Sequence, residues 1–512
     1  MSMRSIEIVD CLSLLSTKVA SNVFDLSSGM HHVSIRDQMV RAQIVVRDLC
    51  RGDPDFESLL IVGAGVAGIS AALEAIQRGV KQVVVVDVLE APFSLLRDVH
   101  HRYVGPFMYE WPSTFSDNQS YPVHQTTPWS DADAQLQWIA KDPISADALA
   151  NLLTQELKYK LTQINHGALT ICVNVSKSRI HRIVQAFAKT ESARTLSRLQ
   201  RQSPIKAKTF QLMDALIWPS APAGQKSMIN ITPNYVLLAA GMGVESRRLV
   251  MNDPNGDPYR GDNYTGSSFW AKNLQEDLFD PETANQHLAI FGGGDGALQD
   301  TLWALTGRKH PLQFMSFLEK NLSMRRALKR IKNHLLDADR QSRQFSTWTV
   351  KQNEYLALDN TCKAIALDLA RNNRVVRRVG QGLRQGEGEV SLFVRGSHFD
   401  KSYLLNRFLV HLIEACSSAQ NGMWSGRMRL LVHRNHWAVG YTGISNQLHA
   451  VEIATVGSKN ATSIYHCNVI SVRYGIEVDS IPAAQMIQVS DRLSRQRTSL
   501  SRVELPFVSE SS

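Results

Sequence analysis

Residues 58–90 read SLLIVGAGVAGISAALEAIQRGVKQVVVVDVLE, and this stretch constrains the fold more than any other. Leu59 to Val62 is a short apolar run suited to a buried parallel strand. Gly63-Ala64-Gly65-Val66-Ala67-Gly68 follows at once as G-x-G-x-x-G. Ile69, Ala72, Leu73 and Ile76 then recur at helical spacing, and Gly79 stands where a helix stops. A second apolar strand over 83–86 ends at Asp87. Gly63 permits the tight turn, Gly65 lets backbone approach a pyrophosphate, and Gly68 lets helix and strand close on each other. The helix N-terminus offers free N–H groups and partial positive charge to phosphates. Asp87, 19 residues after Gly68, stands where an acid hydrogen-bonds ribose hydroxyls. The alternative is a glycine-rich turn with no ligand; the complete strand–turn–helix–strand setting weighs against it.

A second copy lies at 288–300, LAIFGGGDGALQD. Gly292-Gly293-Gly294-Asp295-Gly296-Ala297 fits G-x-G-x-x-A, with Ala297 at the close-packing position. Leu298, Leu302 and Leu305 continue as a helix to Gly307, and residues 312–318 read as a strand ending at Glu319. Two further segments pair up. Asn234 opens an apolar strand that ends at Gly241, and Asn468 opens a similar one that ends at Gly475, with Arg473-Tyr474 in place of small residues. The glycine loops are offset by 292 − 63 = 229 residues and the strand–glycine motifs by 475 − 241 = 234. Near-equal offsets indicate two similar units in tandem.

On these residues the chain resembles the two-dinucleotide-binding-domain flavoproteins, which include the pyridine nucleotide–disulfide oxidoreductases and the flavin monooxygenases. The resemblance covers roughly residues 57–110 and 234–320. It implies that the Gly63 loop binds the ADP half of FAD, and that Ala239-Ala240-Gly241 closes the first part of the FAD domain. It also implies that the Gly292 to Ala297 loop, similar to that of thioredoxin-reductase-like proteins, binds NAD(P)H. The implied fold is α/β, with two Rossmann-like three-layer dinucleotide-binding domains and a helical N-terminal extension. Residues 1–56 form the extension, 57–285 the FAD-binding domain, 286–478 the NAD(P)-binding-like domain, and 479–512 a partly disordered tail.

The chain departs from that pattern in places. Its six cysteines form no Cys-x-x-Cys or Cys-x4-Cys, so an internal redox pair is not expected. No flavin-monooxygenase fingerprint stands between the loops, and the Gly-Asp motif that usually touches the flavin ribityl chain is not recognisable. Residues 97–112, RDVHHRYVGPFMYEWP, form an aromatic-rich loop after the second strand. This loop and the segment from Ile35 to Ala42 resemble uncharacterised bacterial FAD/NAD(P)-binding oxidoreductases. Arg102 is a candidate to neutralise a phosphate, and Tyr109 or Trp111 to stack near the flavin; the alternative is a loop packed on the sheet edge. The His31–His32 and His100–His101 pairs point to opposite faces, so no metal site is expected. No G-x-S-x-G nucleophile occurs.

The chain carries 56 Lys and Arg against 47 Asp and Glu, a net +9 that reads as a mild bias when spread over 512 residues. The basic residues Arg325, Arg326, Lys329, Arg330 and Lys332 read as a solvated helix face or as partners of an NADPH phosphate, while Glu319 favours NADH. That choice stays open. Basic runs without interleaved aromatics argue against nucleic acid, and no apolar run of spanning length argues against a membrane. The cysteine usage suits the cytoplasm. The expected activity is an FAD-dependent oxidoreductase, moving hydride from NAD(P)H to flavin and on to oxygen or a small organic acceptor. A non-catalytic redox sensor and an oxidase reduced by its own substrate are the alternatives. No catalytic side chain, substrate or oligomeric state is read.

Overall fold

The structure, a computed structural model, describes residues 14, 17–27, 34–107, 110–112, 120–121, 136–139, 142–165, 167–200, 205–219, 227–252, 256–272, 284–344, 354–400, 402–420, 422–445, 448–457, 462–477, 480 and 482–487. The chain is α/β, with parallel strands at the centre of both large sheets.

The first unit starts with a two-strand ribbon, β1 (Lys18–Ala20) and β2 (Val23–Asp25), then α1 (Ile35–Gly52). Ser34 and Asp37 close a reciprocal capping box at the start of α1. Next come β3 (Ser58–Val62), α2 (Val66–Gln77) and β4 (Gln82–Val86). Four two-residue strands follow: β5 (Tyr103–Val104) pairs with β8 (Ile144–Ser145), and β6 (Ser120–Tyr121) with β7 (Trp138–Ile139). Then come α3 (Ala146–Gln163), β9 (Leu169–Val173), α4 (Lys177–Leu199), β10 (Phe210–Trp218), β11 (Ser227–Ile231) and β12 (Tyr235–Leu238). Among the described residues the sheet order is β1-β2-β12-β3-β4-β9-β10-β11, parallel from β2 through β9. The N-terminal segment carries the expected helix, α1, and also supplies strands, with β2 hydrogen-bonded to β12. Val23 and Phe24 are buried there, so the segment completes the sheet as well as docking on it.

The second unit holds β13 (His287–Phe291), α5 (Asp295–Thr306), α6 (Pro311–Glu319), α7 (Leu322–Gln344), α8 (Glu354–Ala370) and α9 (Asn373–Gln381). It continues with β14 (Glu389–Val394), α10 (Leu404–Ala419) and β15 (Arg429–Arg434). The antiparallel strands β16 (His436–Ser445), β17 (Leu448–Thr455) and β18 (Thr462–Cys467) precede β19 (Val469–Val472). The second sheet runs β15-β14-β13-β19, all parallel. A short helix α11 (Pro482–Ile487) places Met486 in the core on one face of the first sheet, so part of the expected tail is ordered.

Residues 312–318 are helix rather than strand. Pro311 pre-sets the first turn, His310 and Gln313 form a capping box, and Phe314, Met315 and Leu318 share the buried face. Glu319 therefore ends a helix, and the strand beside β13 is β14.

The tandem repeat holds at the level of single hydrogen bonds. Asn234 accepts from Ser58 N–H at 2.9 Å through its side chain, as Asn468 does from His287 at 3.0 Å. Gly63 N–H donates to Val86 O at 2.8 Å, and Gly292 N–H to Phe393 O at 3.0 Å. Phe93 N–H donates to Ala64 O at 3.1 Å, and Asp400 N–H to Gly293 O at 2.9 Å. Gly241 and Gly475 both take the left-handed backbone, at φ +85° and +88°. These pairs fix the equivalences β3 with β13, α2 with α5, β4 with β14, and β12 with β19. One difference is large. Four residues, 78–81, join α2 to β4, whereas 82 residues, 307–388, join α5 to β14.

Candidate functional site

The first loop leaves β3, whose five residues are all buried, and runs straight into α2. Gly63 has φ +109°, and a Cβ there would lie 2.3 Å from Ala239 O. A Cβ on Gly68 would lie 1.8 Å from Gly63 O. These two glycines are required by packing within the protein. A Cβ on Gly65 meets no protein atom within 4 Å. Gly65 is the N-cap of α2, and no side chain caps the helix. An uncapped helix N-terminus behind an open glycine is a cradle for an anion.

Asp87 stands beside this cradle. Its Oδ2 accepts from Ala64 N–H at 2.5 Å and its Oδ1 from Leu89 N–H at 2.7 Å. Burial raises its pKa, and the backbone N–H groups, Ala64 first, pull it back. The backbone fixes the carboxylate, and each oxygen keeps a second lone-pair direction for a hydroxyl donor. Gly63, Gly65, Gly68, Asp87 and Gly241 therefore come together at one end of the parallel strands, and the donor set fits a dinucleotide.

The second loop repeats the frame with different side chains. A Cβ on Gly292, at φ +140°, would lie 2.2 Å from Arg473 O, as Gly63 does against Ala239. Gly294 is the N-cap of α5, again without a capping side chain, and Ala297 is fully buried. Asp295 turns away to Asn406 Nδ2 at 2.5 Å and Gln299 Nε2 at 3.0 Å. At the place of Asp87 stands Val394, fully buried, with the exposed Arg395 next in the chain. The guanidinium of Arg395 lies 4.8 Å from the Trp437 ring centroid.

Arg102 is placed elsewhere than the phosphate expectation put it. It is buried, and its Nη1 donates to Asp300 Oδ1 at 2.5 Å and its Nε to Phe269 O at 2.9 Å. Its guanidinium lies 3.8 Å from the Phe269 ring centroid. Asp300 Oδ2 accepts from Arg473 Nε and from Ser471 Oγ, both at 2.8 Å. This explains why Arg473 stands where the first unit has a small residue: it neutralises an acid on α5. Sequence reasoning missed Asp300. The available signal was a carboxylate on the apolar face of a helix, which demands a buried cation.

Tyr109, His31 and His32 lie outside the described residues. Trp111 packs into the second unit's core and stacks on Phe408, with centroids 5.3 Å apart. Glu110 bonds Arg36 of α1, joining two segments that the sequence had singled out separately. His101 stacks on Trp303 while His100 faces Asp147. Asp98, His100 and Asp147 bring ligand atoms within 4.8 Å of one another, but Lys272 already pairs with Asp98 at 3.3 Å.

The five described cysteines are free. Burial pushes Cys172, Cys362, Cys416 and Cys467 up to about 12 and Cys50 up to about 11. They are protonated thiols at neutral pH and poor nucleophiles. No described helix is long and apolar enough to cross a membrane.

No protein-family model matches the chain, and no curated protein matches it. Among solved structures it is similar to FAD-bound DfoA, the cadaverine monooxygenase of desferrioxamine biosynthesis in Erwinia amylovora. The identity is 9%, with 85% of this chain and 81% of that chain covered and a TM-score of 0.34. L-lysine 6-monooxygenase from Pseudomonas syringae matches at 10% identity, 84% of each chain and a TM-score of 0.29. A thioredoxin reductase from Gloeobacter violaceus matches at 9% identity, 88% of this chain, 94% of that chain and a TM-score of 0.21. At these values the likeness carries no argument about activity, which rests on the loops themselves.

Proposed function

We propose that the chain is an FAD-dependent oxidoreductase that takes hydride from NADPH and delivers it to oxygen or a small organic acceptor. Residues 57–285 form the FAD unit in this reading, and 286–478 the nucleotide unit. One observation carries it: an uncapped helix N-terminus at a glycine loop, built twice on the same hydrogen-bond frame, with a backbone-fixed acid beside the open Gly65 of the first copy. In the first unit the α2 N-terminus and Gly65 hold the pyrophosphate, and Asp87 the ribose hydroxyls. FAD bound there supplies reversible hydride acceptance; the protein supplies position and electrostatics.

The second unit supports NADPH over NADH. A ribose-binding acid in the position of Asp87 would repel a 2′-phosphate. Val394 removes that repulsion, and Arg395 offers a guanidinium at the same strand end.

Anaerobic titration of the purified yellow protein tests the reading. NADPH is expected to bleach the flavin absorbance near-stoichiometrically, with NADH slower, and air to restore it. A colourless protein that takes up no FAD overturns the first assignment. A flavin that neither nucleotide reduces overturns the second, leaving a sensor or a substrate-reduced oxidase.

A further inference from the structure

The repeat isolates a part of the chain that the second unit does not need for its sheet. The first unit passes from helix to next strand in four residues; the second takes 82, and the 78 extra residues are the helical insertion α6–α9. Segment 307–388 holds 17 of the 56 Lys and Arg but only 7 of the 47 Asp and Glu. The other 430 residues carry 39 basic and 40 acidic side chains. The net positive charge of the protein is therefore not spread out: the insertion carries +10 and the remainder −1.

Within the insertion the charge has a face. On α7, Met324, Ala327, Leu328 and Leu335 are buried in the second core. Arg325, Arg326, Lys329 and Arg330 are exposed on the other side, and none makes an ion pair among the described residues. Arg325 with Lys329, and Arg326 with Arg330, are like-charge pairs at i,i+4, which weaken a helix. A face that served solvation alone would gain by interleaving glutamates. Leu322, 58% exposed, stands on the same face among these cations.

We infer that α7 is a docking surface for an acidic protein, with Leu322 as the apolar anchor and Arg325, Arg326, Lys329 and Arg330 as its charged rim. An apolar centre ringed by charge is the anatomy of a protein–protein contact. A phosphate backbone has nothing to offer the leucine, and α7 carries no Phe, Tyr or Trp as a base-stacking platform. An anionic membrane would need the apolar face of α7 for insertion, and that face is already buried in the core. The inference stands independently of the flavin reading.

The test uses the full-length protein and three probes: a labelled helical peptide of alternating Glu and Leu clusters, a DNA duplex, and vesicles of anionic lipid. The peptide is expected to bind, and added salt to weaken it. Arg326→Glu with Arg330→Glu is expected to weaken it about tenfold or more, while thermal stability and flavin content hold. Leu322→Ser is expected to weaken the peptide several-fold and to leave any duplex binding unchanged. No peptide binding, insensitivity to either variant, or equal or tighter binding of duplex or vesicles overturns the inference.

Discussion

The Arg102 guanidinium donates to the Asp300 carboxylate at 2.5 Å across 198 residues of sequence. The pair ties the loop that follows β4 to the helix that follows the second glycine loop. Asp300 is fully buried, and Arg473 holds its other oxygen at 2.8 Å. Burial works against its charge, but Arg102 and then Arg473 outweigh it and hold its pKa down at about 2.

Asp300→Asn leaves two buried guanidinium groups short of a counter-charge, and is expected to cost about 3–5 kcal/mol in urea unfolding. The sign with pH follows from the depressed pKa. The contribution is complete above the unfolded value of about 3.9 and is lost as pH falls toward about 2. The variant should therefore show a flatter loss of stability over that acid window. An unchanged profile would remove the ion pair from the account of how the two units are joined.

The glycines of the first loop should separate folding from binding. Gly68→Ala drives a Cβ to 1.8 Å from Gly63 O and is expected to destabilise by about 4 kcal/mol or more, lowering Tm sharply. At Gly65 an added Cβ meets no protein atom within 4 Å, so Gly65→Val is expected to fold with nearly wild-type Tm yet purify without flavin absorbance. Retention of FAD by Gly65→Val would sink the cradle assignment.

Nicotinamide preference should lie at the end of β14. Arg395→Ala is expected to raise KM for NADPH about 10–100-fold through loss of a charge-assisted hydrogen bond, with little change for NADH. Val394→Asp should push in the same direction by repulsion. Glu319→Ala, at a helix end instead of a strand end, should leave both nucleotides alone.

His310 should mark the acid limb of stability. Burial pushes its pKa down to about 3, and its neutral Nδ1 accepts from Leu312 N–H at 3.1 Å. The unfolded chain takes up a proton near pH 6.5 that the folded chain refuses. Stability thus falls as pH drops from about 6.5 to about 3, by about 1.4 kcal/mol per pH unit for this one group. His310→Asn keeps an N-cap but does not titrate, so its Tm should fall less steeply over that range. His101, lowered to about 4 by burial and then by Arg102, leaves a residual slope.

By itself the sequence determined the two glycine loops, the strands that feed them, Asp87 and the tandem repeat. These depend on contacts within a few residues, where glycine, an apolar run and a terminal acid leave few alternatives. Asn234 and Asn468 were visible as a repeat, although their hydrogen bonds to the neighbouring strands were not. The tertiary structure decided the rest. It turned 312–318 into a helix, because burial of one helical face and the His310 cap overrode an apolar pattern that fits either period. It put 82 residues, 307–388, between α5 and the second strand of the second unit, which spacing alone cannot reveal. It sent Arg102 to Asp300, since a buried charge seeks its counter-charge wherever the chain brings one. It also gathered onto one insertion a charge that composition had averaged over the whole chain.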